Sequence, residues 1–210
     1  MFVSSINITG GFLITKRMLD MFKRKGDPEE YNHLYLGSGA AMMGALSLAH
    51  MASVPHIYTM GYLASSVCCI GSICGLSSQP TARLGQTLGN VGVSGGIFTT
   101  LLAMNFPLPV LYQALGLLGV GGAIGAVLGK RVMPTELPQT VAAFHALVGL
   151  AAVTTSIASY MSCGHPDMLH SLASFFGVFI GGVTFTGSLA AFRKLANLMR
   201  GQTLNLPMAG

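Results

Sequence analysis

Long uncharged stretches dominate this chain. No Asp, Glu, Lys or Arg occurs between Tyr31 and Ala82, between Leu84 and Gly129, between Leu137 and Pro166, or between Met168 and Phe192. A helix needs roughly 20 mostly apolar residues to cross a bilayer, and each stretch holds one or two such lengths. Proline-bearing turns divide them: Val54-Pro55-His56, Ser77-Ser78-Gln79-Pro80, Asn105-Phe106-Pro107-Leu108-Pro109, Met133-Pro134 and Gly164-His165-Pro166-Asp167. Proline lacks an amide hydrogen and disfavours helix in the residue before it, so each marks the end of one helix and the start of another. The pattern predicts spans over 34–53, 57–76, 86–104, 110–129, 138–161 and 169–192. Their short connections make consecutive helices antiparallel neighbours.

The N-terminus fits this pattern less well. Residues 1–15 are apolar but short. Lys16 to Glu30 follows as a basic, then acidic, stretch interrupted by Pro28. It reads as a loop or surface helix at the membrane edge. The apolar piece before it reads as a half-span, an interfacial helix or the tail of a further span. A secretory signal carries its charges ahead of its apolar part, and here they come after it. The organisation expected is therefore an apolar segment and basic loop over 1–33, a six-helix transmembrane bundle over 34–193 and a tail over 194–210.

Composition supports an all-α integral membrane protein. Of the 210 residues only 8% are charged and 51% are hydrophobic, with a mean hydropathy of +0.63. A water-soluble domain carries about 25% charged residues. The net charge of +5 points to sidedness rather than to nucleic acid. With six spans, all eleven Lys and Arg residues fall on one side, together with residues 16–30. Such a bias marks the cytoplasmic or matrix side of short-looped membrane proteins, and an error of one span would scramble it.

Glycine accounts for 28 residues, many spaced four apart within the spans, as in Gly71–Gly75, Gly85–Gly89, Gly92–Gly96, Gly121–Gly125 and Gly177–Gly181. Small residues at this spacing let helix backbones approach closely. Gly119-Val120-Gly121-Gly122 is not a dinucleotide loop, because Ile124 replaces the third glycine and no strand precedes it. Cys68, Cys69, Cys74 and Cys163 match no zinc spacing and read as small packing residues. No metal site and no cofactor-binding motif is expected on this chain.

His145 is the main candidate for chemistry. It sits in the fifth predicted span, about 12 Å along the helix from Leu137 at roughly 1.5 Å per residue. An ionisable group at that depth is costly and often functional, and histidine titrates near neutral pH. Two readings stand: a proton relay, or a neutral imidazole bonded to a neighbouring helix. Thr184 and Ser188, on the next span, are its candidate partners. Counted from Arg193, Thr184 reaches nearly the depth of His145, with Ser188 a turn shallower. Their hydroxyls either order a path to the imidazole or bond back to their own helix. His50, His56, His165 and His170 fall near the opposite membrane edge and read as interfacial. Glu136 opens the fifth span as an N-terminal acid, and Asn90 reads as a buried amide bonding a neighbouring helix.

Several stretches resemble the membrane domain of the proton-translocating NAD(P) transhydrogenase. They are Gly10-Gly11-Phe12-Leu13-Ile14-Thr15-Lys16-Arg17-Met18-Leu19-Asp20-Met21-Phe22-Lys23-Arg24, Asp27-Pro28-Glu29-Glu30-Tyr31-Asn32, Gly75-Leu76-Ser77-Ser78-Gln79, Thr81-Ala82-Arg83-Leu84-Gly85, Glu136-Leu137-Pro138-Gln139 through Ala151-Ala152, and Ile180-Gly181-Gly182-Val183-Thr184-Phe185-Thr186-Gly187-Ser188. They follow one another in order over nearly the whole chain. The resemblance implies that His145 matches the family's proton-channel histidine and Ser188 a serine near that channel. It implies that NAD(H) and NADP(H) bind in partner domains, and that the remaining helices come from other parts of a hetero-oligomeric membrane complex. Arg193 stands where the family usually has glycine. A mitochondrial inner membrane is expected on this basis, with a bacterial inner membrane as the alternative. Two functions follow as expectations: part of the proton channel of a transhydrogenase, or a catalytically silent relative serving as an accessory bundle in a larger respiratory complex.

Overall fold

The computed structural model describes residues 1–23, 31, 33–104, 106–164 and 167–198. The expected loop over 24–30, Asn105, His165 with Pro166, and the tail from residue 199 lie outside the described residues. Among the described residues seven long helices form: α1 (Phe2–Met21), α2 (His33–Met51), α3 (Ile57–Leu76), α4 (Ala82–Ala103), α5 (Leu108–Arg131), α6 (Leu137–Ser162) and α7 (Met168–Leu195). Short 3₁₀ turns at Gln79–Thr81 and Pro134–Glu136 lead into α4 and α6. The described residues contain no strand. Each of the six predicted spans corresponds to one helix, α2 to α7, and the fold is an all-α membrane bundle.

Four of these helices, α3, α5, α6 with its leading 3₁₀ turn, and α7, are both long and apolar enough to cross a bilayer. The other two expected spans, α2 and α4, have the length but a more polar sequence. In α4 two polar residues, Gln86 and Thr99, are buried.

The N-terminal segment is the largest difference from expectation. It is one continuous helix of 20 residues, and it runs through Lys16 and Arg17 instead of ending before them. A 20-residue helix is about 30 Å long, the thickness of the hydrocarbon core. Its helical tail, Lys16–Met21, keeps the basic residues at one end.

By backbone contact the chain divides into two units, one of Met1–Ile14 with Ala114–Gly210 and one of Thr15–Gln113. In the first, α1 lies along α5 in the parallel sense. Ser5 donates its hydroxyl to the Phe2 and Leu117 carbonyls at 2.9 and 3.3 Å. Further along, Ile6 and Gly10 of α1 press on Gly125, and Leu13 presses on Gly129. Ile6, Ile14, Leu137 and Phe144 form the core of this unit, with Phe2, Val132 and Leu147 against it. Phe144 carries α6 onto Gly10 of α1.

The second helix pair of this unit, α6 and α7, is antiparallel. Gly149 lies against Gly181 and Phe185, Gly181 against Val153, and Gly177 against Ser156. A Cβ on Gly149 would meet the Gly181 carbonyl oxygen at 2.7 Å, and one on Gly181 would meet the Gly149 carbonyl oxygen at 2.9 Å. Lipid chains are as apolar as leucine, so burial does not drive helix association in a membrane; close backbone packing does. Only glycine permits it at these two positions.

In the second unit α3 and α4 are antiparallel and meet through Gly75 and Gly85, where a Cβ on Gly75 would lie 2.7 Å from the Gly85 Cα. α2 runs parallel to α4: Gly39 faces Val91 and Met42 faces Gly95. Arg83, at the start of α4, donates to the Leu19 carbonyl at 3.3 Å, which brings the basic end of α1 to this end of the unit. In each unit the described Lys and Arg residues collect at one end: Lys130, Arg131, Arg193 and Lys194 in the first, Lys16, Arg17, Lys23 and Arg83 in the second.

Candidate functional site

The three residues singled out by sequence all lie in the first unit, on α6 and α7. Their relative height follows from the packing of these helices. The contacts Ser156–Gly177, Val153–Gly181 and Gly149–Gly181/Phe185 fix an antiparallel register. One turn back from Gly149 on α6 is His145, and one turn on along α7 is Ser188. Ser188, not Thr184, is therefore level with His145, and Thr184 stands level with Gly149. The counted depths differ because α6 starts lower than assumed: in this register Leu137 faces the end of α7 near Ala196, a turn beyond Arg193.

Angular position follows from about 100° of rotation per residue. His145, Thr184 and Ser188 all fall on the same side of the α6–α7 seam. His145 is exposed and the two hydroxyl residues are half-buried. The Thr184 hydroxyl donates to the Ile180 carbonyl of its own helix at 2.8 Å. His145 and Ser188 make no hydrogen bond among the described residues. The imidazole is thus exposed at the edge of the α6–α7 seam, level with the Ser188 hydroxyl.

The remaining candidates sort by position. Glu136 precedes α6, where its carboxylate accepts the Met133 N–H at 3.3 Å and its carbonyl accepts the Thr140 hydroxyl at 2.8 Å. This is a helix-start arrangement. His50 and the Tyr58 hydroxyl share a hydrogen bond at 2.7 Å, tying the end of α2 to the start of α3. His56 takes a left-handed backbone conformation, φ 58°, just before α3. Asn90 Oδ1 is buried with no partner among the described residues, as are Ser65 Oγ and His170 Nε2. The backbone N–H of His170 donates to the Asp167 carboxylate at 2.8 Å, a helix cap. The buried Nε2 of His170 was not foreseen. Its signal was present: positions 170, 177, 184 and 188 recur on one face of α7.

No group of three or more His, Cys, Asp or Glu residues with metal-binding geometry occurs among the described residues. The four cysteines are free thiols.

Fold and site together define a polytopic helical membrane protein with an ionisable group within its spanning region. The comparisons with known proteins narrow this. Residues 58–210 match the NAD(P) transhydrogenase beta subunit family, and residues 1–24 match the 4TM region of mitochondrial pyridine nucleotide transhydrogenase. The NAD(P) transhydrogenase subunit beta of Rhodospirillum rubrum is 38% identical over 163 residues, covering 73% of this chain and 34% of that protein. The protein of that name from strain ATCC 11170 of the same species aligns with the same figures. The chain belongs to the NAD(P) transhydrogenase beta subunit family. It spans about a third of the length of these relatives, whose membrane domain it represents.

Proposed function

We propose that this chain forms part of the proton-conducting membrane domain of a proton-translocating NAD(P) transhydrogenase. Other chains or segments carry the nucleotide domains, where NAD(H) and NADP(H) bind, and the remaining channel helices. His145 alternates between its neutral and protonated forms. Ser188, level with it, and Thr184, a turn beyond, order water on the path toward the basic end. That end faces the mitochondrial matrix, or the cytoplasm of a bacterium, with the chain in the corresponding inner membrane. Residues 34–193 lie in the bilayer as its spanning part.

The observation that carries this reading is an exposed imidazole without a hydrogen bond among the described residues, level with the Ser188 hydroxyl at the edge of the α6–α7 seam. A histidine serving only as a packing group would be expected to bond within its own bundle, because an unmet polar group is costly in hydrocarbon. One observation favours a second reading, a silent accessory bundle in a larger membrane assembly: backbones at Gly149 and Gly181 seal the seam itself. A path along its rim then needs walls from neighbouring helices.

The test is His145→Ala in the assembled complex, reconstituted in vesicles. A positioned proton-transfer group contributes on the order of 10²–10⁴ in rate, so proton-coupled hydride transfer is expected to fall about a hundredfold or more with assembly intact. Coupling that survives the substitution removes the channel role and leaves the accessory reading. Native purification discriminates as well: the channel reading expects nucleotide-binding domains among the co-purifying chains.

A further inference from the structure

At the basic end of the second unit, charge is gathered to one point. Arg83, at the start of α4, donates to the Leu19 carbonyl in the last turn of α1 at 3.3 Å. A helix ends in unmet carbonyls and carries a partial negative charge there, so a guanidinium at this place closes the end of α1. Lys16, Arg17 and Lys23 stand within about a turn of Leu19 along α1, and Arg83 joins them from α4. Among these four cations stands one acid, Asp20. Lys16 and Lys23 are exposed, and Arg17 and Arg83 are half-buried.

Apolar surface lies beside this charge. α2 starts at the same end, because it runs parallel to α4. Met21 and Phe22 at the end of α1, Tyr31 just ahead of α2, and Leu34 and Tyr35 in its first turn are all exposed. At the end of a spanning helix, such side chains sit where headgroups give way to hydrocarbon, the level at which tyrosine is enriched. A ligand that meets both parts carries a phosphate and long apolar chains. A free phosphate or a nucleotide meets only the cations, and a neutral lipid meets only the apolar part. Basic sites between spanning helices on the matrix or cytoplasmic side suit anionic headgroups for this reason.

We propose that Lys16, Lys23 and Arg83 hold the phosphate of an anionic phospholipid, whose acyl chains run along the exposed apolar surface from Phe22 and Tyr35. The two lysines supply mobile ammonium groups, and Arg83 supplies a planar fork of N–H donors suited to phosphate. A phosphate within reach of all three fastens the end of α1 to the start of α4 at the membrane boundary. Such a site requires only that the chain spans a bilayer, and it stands apart from the channel reading of His145.

The test is lipid binding to the assembled complex in detergent, followed by native mass spectrometry with dioctanoyl-phosphatidylglycerol as the probe. One basic side chain at a membrane surface is worth roughly fivefold in affinity, so Lys16→Gln with Lys23→Gln is expected to weaken the tightest phosphatidylglycerol binding about twentyfold. Binding of dioctanoyl-phosphatidylcholine is expected to stay unchanged. Both lysines are exposed, so this variant is expected to fold and assemble. Lys130→Gln with Arg131→Gln removes the same charge from the end of α5 and is expected to shift the tightest binding by less than about twofold. Equal weakening by the two double variants makes the effect one of net charge and overturns the lipid site, as does no weakening by the first. Glycerol phosphate and inorganic phosphate lack the acyl chains and their burial, and are expected not to displace the lipid. Displacement by either shows a site for free phosphate and overturns the lipid assignment.

Discussion

The two antiparallel seams of this chain, α3–α4 and α6–α7, are built alike and used differently. Both bring backbones together through glycine, at Gly75 with Gly85 and at Gly149 with Gly181. In the α3–α4 unit the polar residues are inside: Ser65, Ser72, Gln86 and Thr99 are all buried, and Thr99 bonds to the Gly95 carbonyl at 2.8 Å. In the α6–α7 pair Ser174 is buried as well, but His145 is exposed and Ser188 half-buried. Close packing is therefore common to both seams, and the placement of polar groups relative to it separates a scaffold from a candidate site. A polar group within a seam is locked by its neighbours. One on the rim is available to water or to a further helix.

The largest expected effect tests the shared part. Gly149→Leu places side-chain atoms against the Phe185 amide and the Gly181 carbonyl, which are backbone and cannot turn aside. Overpacking typically costs about 1–3 kcal/mol where side chains can shift, and a collision with backbone lies at the upper end or beyond. The complex is expected to lose its folded, assembled fraction in detergent, as judged by size-exclusion yield and thermal midpoint. Gly182→Leu, where nothing lies within 4 Å, is the control and is expected to leave that fraction in place. Should Gly149→Leu behave like Gly182→Leu, the register that sets His145 level with Ser188 is wrong.

How much of this was legible in the sequence divides along the same line. The helices were legible, because charge-free runs and proline turns are local signals, and α2 to α7 follow them closely. Within each unit the described basic residues collect at one end, as their order along the chain suggests. The α1 helix was not legible. Its basic residues from Lys16 onward look like the start of a loop, and only the packing of Ile6, Gly10 and Leu13 along α5 shows where the helix lies. His145 could be chosen from sequence, as a histidine deep in an apolar run. Its level partner could not, because register depends on which residues of α6 and α7 touch. Counting from the charged ends assumed that both helices stop at the same height, which placed Thr184 too close and Ser188 too far.

A smaller effect separates the two seams by what a lost polar group costs. The Ser65 hydroxyl is buried, the residue being 5% exposed, and holds no bond among the described residues. Ser65→Ala removes an unmet group and is expected to stabilise the protein by about 1 kcal/mol, the order of the desolvation cost it relieves. His145→Ala takes away a rim group with no partner. It is expected to change stability by less than about 0.5 kcal/mol, as for an exposed substitution, while coupling collapses. Chemical-denaturant or thermal unfolding of both variants checks the contrast. A large stability loss in His145→Ala would move His145 from the rim into the packing, and the difference between the seams would close.

The smallest expected effect lies between the two hydroxyls of the site. Thr184 already donates to the Ile180 carbonyl, so Thr184→Val removes a bond that its own helix can forgo, because that carbonyl keeps its backbone amide partner. Stability is expected to hold, and proton-coupled turnover to fall only about two- to threefold, well under 1.4 kcal/mol of barrier. Ser188→Ala removes the free hydroxyl level with His145 and is expected to cost more, about tenfold. Turnover of the two variants, measured side by side in reconstituted vesicles, ranks them. The reverse order would favour the height counted from the chain ends over the one set by Gly149 and Gly181, because the hydroxyl nearest the imidazole orders its water most directly.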